Sequence, residues 1–428
     1  MSRKSRMAGL MLLFAVSILI AGCGRRAESK GPIELSLWYH GAGNEVERGI
    51  LVGIIDDFNA SQEDYVVALE EFPQDSYNDS VLAAALAGSL PDIVDVDGPV
   101  MPNWAWSGYL APLNIPESKI SSFLPGAIGV WDGEIYAVGL WDAAVAIYAR
   151  KSILDRYGIR VPSLDNPWTL NEFNNILATL DASGEFEYVF DVGMAWTGEW
   201  YPYGFSPFLQ SFGGDMIDRN GYQTAEGVLN GPEAIAFGEW WQSLFENGYT
   251  PGTSQDGADR ETGFLDSRYA LQWNGNWSGV QALEQHGDDM LFLPAPDFGN
   301  GPTIGAASWQ LAVSSSSENP DGARTFIEFA IQDKYLTAFS DAIGLIPSTP
   351  AAAAVSRNYS AGAPMEMFYE LSEEQALIRP PTPGYVVMAK VFEKALADIA
   401  NGADVRGTLD AAVDEIELDI QNNNGYGF

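Results

Sequence analysis

The sequence is poor in the residue types that make disulfides and most metal sites. It has 428 residues but a single cysteine, Cys23, and two histidines, His40 and His286. One cysteine excludes an intramolecular disulfide and a cysteine-based metal cluster. Two histidines are too few for the usual histidine-based zinc sites. We therefore expect neither a metal ion nor a cofactor.

Basic residues are also scarce. The chain carries 22 lysines and arginines against 58 aspartates and glutamates, a formal net charge of −36. Nucleic-acid binding needs a basic stripe to contact phosphates, so we expect no nucleic-acid partner. An acidic, lysine-poor surface suits a high-salt habitat, where salt screens self-repulsion. Ordinary acidic drift explains it equally well, and the sequence leaves both open.

Long hydrophobic runs are absent after the N-terminus. The one apolar run, residues 7–20, follows a basic start and is shorter than the roughly 20 residues of a membrane-spanning helix. Its length is typical of a signal-peptide core. The sequence Ile-Ala-Gly-Cys at 20–23 resembles the bacterial lipobox, which implies a signal peptide over 1–22, acylation of Cys23 and a lipidated tether over 23–31. A plain secretory signal or a short buried helix is the alternative.

The rest of the chain alternates between the periods of strands and helices. Residues 33–39, 65–72 and 92–98 read as strands, and the intervening segments, with apolar residues every three to four positions, read as helices. This order predicts an α/β fold with a parallel sheet and helices on both faces. About 400 residues after the signal are too many for one core and suit two lobes.

Local signals fix several later elements. Thr169 and Glu172 have capping-box spacing and predict a helix start, and Asn319 is predicted to cap the helix that follows it. Two further helices are predicted in the last 45 or so residues. Trp240 and Trp241 lie on a helical face and are predicted to belong to the core.

Several segments, taken together in their order, carry a family resemblance. They are "ELSLWY", "YNDSVLAAALAGSLPDIVDVD", "NWAWSGYLAPL", "GEIYAVGLWDAAVAIYARK", "PWTLNEF", "GGDMID", "NGNWSG", "WQLAVSSSSENPDGARTFIEFA" and "GLIPSTP". The chain resembles the extracellular solute-binding proteins of bacterial ABC importers, in particular the carbohydrate-binding group typified by maltose-binding protein. Two departures are Arg150-Lys151 in place of Asn-Lys and a Val138-Gly139 turn that lacks the family's proline.

The resemblance implies a two-lobe periplasmic-binding-protein type II fold with a hinge and a central ligand cleft. The first lobe would comprise 32–142 and 312–345, and the second 143–311 and 346–428. It further implies a monomeric, non-catalytic lipoprotein at the periplasm or outer face of the membrane. Such a protein captures a mono- or oligosaccharide by hinge closure and delivers it to the transmembrane subunits of an ABC permease.

Sugar recognition suggests which residues form the site. A pyranose presents apolar faces, which aromatic rings cover, and hydroxyls, which are costly to bury without polar partners. Aromatic and polar residues are interleaved in the predicted loops after strands, where α/β ligand sites lie. The candidate ligand-binding residues are Trp38, Tyr39, His40, Asp97, Trp141, Asp142, Trp196, Glu199, Trp277, Trp309 and Arg379.

Each candidate has a structural alternative. The aromatic residues could pack in the core, and Arg379 could form a salt bridge among the many carboxylates. Asp95 and Asp97 are neighbours on one predicted strand, and we expect only one of the two to face the cleft. Trp277 and Trp309 match positions where family members place stacking aromatics.

Two other functional classes remain open from the sequence. A secreted glycoside hydrolase needs only a suitably spaced carboxylate pair, and 58 acidic residues could supply one. A binding protein for a polyamine, iron or a phosphodiester is the second. The chain has no G-x-S-x-G, H-E-x-x-H or Walker A motif.

Overall fold

The computed structural model describes residues 31–41, 44–306 and 308–427. The predicted signal peptide, Cys23 and all but the last residue of the predicted tether lie outside these residues. Within the described part, no helix combines the length and apolar character needed to cross a membrane.

Strands are distributed along the whole described chain except its last 50 residues. They are β1 Ile33–Tyr39, β2 Tyr65–Glu71, β3 Ile93–Asp97, β4 Leu110–Ala111, β5 Ile128–Trp131, β6 Glu134–Val138, β7 Trp141–Asp142, β8 Val145–Arg150, β9 Tyr188–Asp191, β10 Tyr269–Gly275, β11 Met290–Leu293, β12 Ile304–Ala306, β13 Trp309–Ser314, β14 Ile346–Pro347 and β15 Ala376–Ile378.

Helices alternate with these strands and dominate the C-terminal part. They are α1 Glu45–Ser61, α2 Gln74–Ala87, α3 Met101–Trp106, α4 Glu117–Ile120, α5 Lys151–Tyr157, α6 Leu170–Ala182, α7 Ser206–Phe212, α8 Pro232–Glu246, α9 Gly257–Leu265, α10 Gly279–His286, α11 Pro320–Ala330, α12 Asp333–Ile343, α13 Pro350–Ala353, α14 Glu366–Glu374, α15 Tyr385–Ala400 and α16 Val405–Asn422.

The first sheet has the order β2-β1-β3-β13-β6-β5, with β4 beside β13. β1 runs parallel to β2 and β3, as predicted. β13 enters between β3 and β6 and is antiparallel to both. The predicted parallel arrangement of the first three strands is therefore confirmed, and the sheet as a whole is mixed, because β13 returns from the other lobe at the opposite end of the sheet and runs against its neighbours.

The second sheet has the order β11-β8-β10-β9. β8 is antiparallel to β10 and β11, and β9 is parallel to β10. Its core holds fully buried indoles of Trp168, Trp241 and Trp273. Trp240 is also buried, so the assignment of Trp240 and Trp241 to the core is confirmed. Helix α15 packs against α8 and α16 on this side, where Trp241 Nε1 donates to the carbonyl of Leu396 at 3.1 Å.

Helix ends follow the local signals with one exception. Thr169 and Glu172 form the predicted capping box, in which each side chain bonds the other residue's backbone N–H. Asn319 occupies the N-cap position of α11, but its side chain makes no capping hydrogen bond. Asn319 caps by position only, because Pro320 supplies the pre-set backbone angle of the first turn.

The chain passes between the two sheets through short segments. β7 lies between β6 of the first sheet and β8 of the second, and pairs antiparallel with β14. β12 leads from the second sheet into β13, which joins the first sheet from Trp309 onward. Trp309, the first residue of β13, lies three residues before residue 312, where we predict that the chain re-enters the first lobe. The exact lobe boundaries stay predictions. Short paired connections of this kind are where hinge motion is absorbed.

Candidate ligand site between the lobes

On the first lobe, Asp97 and Trp309 lie side by side. Asp97 ends β3 and Trp309 begins β13, and the two are directly paired in the antiparallel ladder. Asp97 is 6% exposed and Trp309 is partly buried. The fold therefore brings a carboxylate and an indole, 212 positions apart in sequence, to one edge of the first sheet.

His40 lies behind Trp309. Its ring stacks on the Trp309 ring with centroids 3.8 Å apart and an angle of 7°, and its Nδ1 bonds the carboxylate of Asp95. Asp95 and Asp97 are two apart on β3, so their side chains share a face, and Asp97 bonds Arg379. Asp95 therefore bonds His40 while Asp97 bonds Arg379, and the expectation that only one of them faces the cleft stays a prediction. The histidine is placed to support the Trp309 indole from the first-lobe side.

Tyr39 belongs to the interior of the first lobe. Its side chain is 2% exposed, and its hydroxyl donates to Glu47 Oε1 at 2.5 Å. Burial, and next the negative charge of Glu47, raise the pKa of Tyr39 well above its ordinary value. Glu47 is held by Asn44, the N-cap of α1. Tyr39 thus has its hydrogen bond satisfied away from the lobe interface.

Three other candidate residues, Trp38, Trp141 and Asp142, differ in their burial and in their neighbours. Trp38 is partly buried and packs on Phe72, with ring centroids 4.7 Å apart. Trp141 is buried, and its ring centroid lies 6.3 Å from that of His40. Asp142 is 1% exposed, and its Oδ1 accepts the N–H of Ala143 at 2.8 Å. Trp141 and Asp142 therefore form strand β7, where the chain crosses between the lobes, and do not lie in a loop.

On the second lobe, three aromatic side chains lie around Trp277. The centroid of its ring lies 6.0 Å from Trp196, 6.2 Å from Trp200 and 6.1 Å from Tyr203. Trp277 itself lies flat over Gly275, where an added Cβ would come within 2.1 Å of the indole. Glycine at this position is what allows the ring to lie against the end of β10.

Trp196 is fixed by a buried cation. The guanidinium carbon of Arg260 lies 3.9 Å from the Trp196 ring centroid, within the range of a cation–π contact. Arg260 is 1% exposed and bonds Asp191 at 2.8 Å and the carbonyl of Trp273 at 3.0 Å. This buried ion pair ties the indole of Trp196 to the second sheet.

Arg379 joins the two halves of the site. Its Nη1 donates to Glu199 Oε2 at 2.6 Å, and its Nη2 donates to Asp97 Oδ1 at 3.4 Å. Tyr385, at the start of α15, donates its hydroxyl to the same Glu199 oxygen at 2.5 Å. Arg379 is 3% exposed. One guanidinium group therefore bridges a first-lobe carboxylate and a second-lobe carboxylate.

These carboxyl groups are shifted toward their protonated forms. Burial raises the pKa of Asp97, against the opposing charge of Arg379. Burial, with a smaller effect from the charge of Asp97, raises the pKa of Glu199 to about 7. About a third of the Glu199 side chain, 35%, stays accessible to solvent. The charge of Arg379 lowers the pKa of both carboxyl groups, but burial outweighs it.

Two residues of this network, Tyr203 and Tyr385, were not predicted from the sequence. The Tyr203 ring lies under Arg379, 5.1 Å from centroid to guanidinium carbon. Burial, and next the charge of Asp142, raise the pKa of Tyr203 well above its ordinary value. Tyr203 follows Glu199 by four residues, and its N–H donates to the Glu199 carbonyl at 3.0 Å, so the two residues lie one turn apart. That spacing was the available signal, and the run of aromatics around it obscured it.

Two small cavities border the site. One, lined by Tyr39, Asp95, Trp141 and Trp309 among others, encloses about 10 Å³. The other, beside Trp196, encloses about 30 Å³. These are spaces for one or two water molecules, not for a sugar ring.

The described residues contain no cluster of three or more histidine, aspartate, glutamate or cysteine side chains placed to hold a metal ion. The carboxylates at the lobe interface instead bond a guanidinium, a phenol and an imidazole.

Similarity to known proteins agrees with this architecture. Among curated proteins, the chain is 23% identical over 353 residues to an uncharacterized lipoprotein of Streptomyces antibioticus, covering 79% of this chain and 75% of that protein. It is 26% identical over 309 residues to the diacetylchitobiose binding protein DasA of Streptomyces coelicolor. That match covers 69% of this chain and 66% of DasA, just under two thirds of its length.

Solved structures share the fold at low sequence identity. The GacH receptor of Streptomyces glaucescens, studied unliganded and with acarbose, superposes with a TM-score of 0.76 at 19% identity, covering 92% of this chain and 99% of that one. Maltose-bound MalE3 of T. maritima superposes with a TM-score of 0.75 at 22% identity, covering 90% and 99%. These likenesses show the two-lobe α/β fold.

The family match covers most of the chain. The profile of the bacterial extracellular solute-binding proteins matches residues 53–366, a span that includes both sheets' central strands and most of the interface described above. The chain therefore belongs to the family of bacterial extracellular solute-binding proteins.

Proposed function

We propose that this protein is the substrate-binding component of an ABC sugar importer and holds a mono- or oligosaccharide between its lobes. The observation that carries the proposal is the meeting of aromatic rings and polar groups at one interface. On the first lobe Trp309 pairs with Asp97, and on the second lobe Trp277 lies beside Trp196 and Tyr203. Asp97 and Glu199 are joined by Arg379, which bonds both.

The chemistry of this set suits a sugar. Indole rings cover the apolar faces of a pyranose, and carboxylate and guanidinium groups satisfy hydroxyls that would be costly to bury alone. The Arg379 bridge spans both lobes, so a ligand that replaces part of it contacts both halves at once. Closure is then favoured by the additional contacts that the ligand makes in the closed state.

Relatives and structural neighbours with known ligands support the same class. DasA is named for diacetylchitobiose, GacH was solved with acarbose, and MalE3 was solved with maltose. Each of these ligands is a carbohydrate or a carbohydrate analogue. None of them identifies the sugar that this chain binds.

The test is a thermal-shift screen of the purified chain against sugars and polyamines, followed by calorimetry on the hits. A ligand at 100 times its Kd stabilises the folded state by about 2.7 kcal/mol, which is readily detected. Trp277→Ala is expected to weaken sugar binding at least tenfold. Trp131→Ala, in the β5–β6 hairpin at the edge of the first sheet, is the matched control and should leave the Kd unchanged. Stabilisation by polyamines alone would refute the sugar proposal.

The proposal includes no reaction. Incubation of the purified chain with oligosaccharides should release no reducing sugar above the buffer rate. Catalytic release that a Glu199→Gln variant abolishes would instead assign a glycoside hydrolase, in which Asp97 and Glu199 would be the carboxylate pair.

We also propose that the chain is a lipoprotein anchored through Cys23 on the outer face of a membrane, where it docks on permease subunits. The lipobox-like sequence and the relative named as a lipoprotein support this. One acyl chain holds a protein only marginally, so stable anchoring needs more than one. Cys23→Ser is expected to move the protein from the membrane fraction to the soluble extracytoplasmic fraction, and an unchanged distribution would contradict the anchor.

A further inference from the structure

Helix α3 of the first lobe contacts the C-terminal part of the second lobe. Trp106, the last residue of α3, packs edge to face on Tyr426 of the C-terminal turn, Asn424–Gly427, with ring centroids 5.1 Å apart. Three residues earlier on α3, the side-chain amide of Asn103 donates to the carbonyl of Pro383 at 2.8 Å. Because α3 packs against β5 and β6 of the first sheet, and the turn packs against α16 on the second-sheet side, both contacts cross from lobe to lobe.

Apolar packing adds to these two contacts. Val386, near the start of α15, is partly buried against the first-lobe hydrophobic cluster that includes Trp104 of α3. Tyr426 is only 6% exposed, and its ring also lies against Gly384, where an added Cβ would come within 2.9 Å of it. An aromatic side chain near the C-terminal end of the chain is therefore buried at the junction of the lobes.

The backbone of the C-terminal turn fixes the position of Tyr426. Its φ angle is 58°, in the left-handed region that residues other than glycine seldom adopt. Two hydrogen bonds hold the phenol: its hydroxyl donates to Asp419 Oδ2 at 2.6 Å and accepts from Asn423 Nδ2 at 3.0 Å. Such a backbone conformation persists only where its surroundings determine it, and it is frequent at clamps and switch regions. The turn therefore presents the Tyr426 ring to α3 in one position.

These contacts continue the two chain segments that form the Arg379 bridge. Helix α3 begins four residues after Asp97, and Pro383 follows Arg379 by four residues. None of the contacting residues belongs to the crossing segments β7, β12 and β14. When two lobes swing about such crossings, the contacts outside the hinge must break. The α3 contacts therefore add to the stability of the closed form only.

We propose that Asn103 and Trp106 on the first lobe, with Pro383, Val386 and Tyr426 on the second, form a clasp that holds the lobes closed. The clasp favours the closed form whichever solute the protein binds, because its residues contact each other only when the lobes meet. A ligand that bridges the lobes then supplies less of the free energy of closure itself. The affinity for that ligand therefore depends on residues that lie outside its site.

Distances between two spin labels measure the ratio of closed to open protein without any ligand. The labels are attached to cysteines at two exposed positions, Leu86→Cys on α2 of the first lobe and Leu418→Cys on α16 of the second. Cys23→Ser removes the only native cysteine, so that labelling is confined to these two positions.

Each clasp variant is expected to shift the distances toward the open form. Trp106→Ala, Tyr426→Ala and Asn103→Ala should each lower the ratio of closed to open protein about 2- to 10-fold. The double variant of Trp106 and Tyr426 should lower it no more than about twofold beyond the stronger single variant, since two residues in contact share one interaction. As the control, Val161→Ala truncates a half-exposed side chain between α5 and α6 and should leave the ratio unchanged.

The clasp is overturned if the three single variants keep the wild-type ratio, or if the effects of Trp106→Ala and Tyr426→Ala multiply fully in the double variant. Should Tyr426→Ala fail to fold, Trp106→Ala and Asn103→Ala still decide the question, because they alter only partly or fully exposed side chains of α3. All these measurements are made without a ligand. Failure of the sugar-binding proposal would therefore leave the clasp standing, and failure of the clasp would leave the sugar-binding proposal standing.

Discussion

The Arg379 bridge allows a prediction whose size follows from the structure. Arg379→Met removes the charge and keeps the apolar stem. It leaves Asp97, whose side chain is 9% exposed, and Glu199, which is 35% exposed, without their shared cation. Removing one partner of a fully buried pair costs about 3–5 kcal/mol. Because Glu199 is partly in water, we expect the free energy of unfolding to fall by about 2–3 kcal/mol at pH 8.

The same variant should be less destabilised in acid. Glu199 has a folded-state pKa raised to about 7, above the ordinary value of about 4.3 that it has when unfolded. The folded state therefore binds the proton more tightly, and the stability that this gives is lost as pH rises through 7. At pH 6 Glu199 can be neutralised at small cost, so the loss in Arg379→Met should be about 1–2 kcal/mol smaller than at pH 8.

The assay is urea unfolding of the wild type and Arg379→Met at pH 6 and pH 8. A triple variant, Asp97→Asn with Glu199→Gln and Arg379→Met, has no charge left in the bridge and should lie within about 1 kcal/mol of the wild type at both pH values. Arg268→Met, which breaks a surface pair with Glu187, should cost less than about 1 kcal/mol. An equal loss at the two pH values, or no loss in Arg379→Met, would refute the bridge as described.

Three further predictions test other parts of the molecule. Trp106 of α3 and Tyr426 of the C-terminal turn pack edge to face across the lobes, with ring centroids 5.1 Å apart. Trp106→Ala should therefore lower the ratio of closed to open protein about 2- to 10-fold. Small-angle scattering, or distance measurements between labels on the two lobes, would measure that ratio. An unchanged ratio would exclude this contact as a clasp. Gly275→Ala should displace the Trp277 indole and weaken ligand binding at least tenfold, and retention of wild-type affinity would show that the ring's position is not required. Thr169→Ala should lower unfolding free energy by about 1 kcal/mol in urea titrations, whereas Thr169→Ser should be nearly neutral.

Local sequence signals determined most of the secondary structure. Apolar periodicity predicted the elements found between β1 and β3, and local signals predicted the start of α6 at Thr169 and the last two helices. These signals succeed because they act between residues a few positions apart, where backbone geometry alone brings side chains together. The candidate list also contained Asp97, Glu199 and Arg379, which the structure places in one network.

What the sequence could not determine is which of these groups bond to each other. Asp97, Glu199 and Arg379 are separated by roughly a hundred residues or more, and their contact depends on β13 entering the first sheet antiparallel and on α15 packing beside the second. The same tertiary packing turned Tyr39 inward to Glu47, set His40 behind Trp309 and left the Tyr203 hydroxyl among carboxylates. Residue type and spacing decided the elements and the chemistry available. Only the packing of the two lobes decided how those functional groups are arranged, because burial, charge pairing and ring stacking depend on neighbours that are distant in the chain.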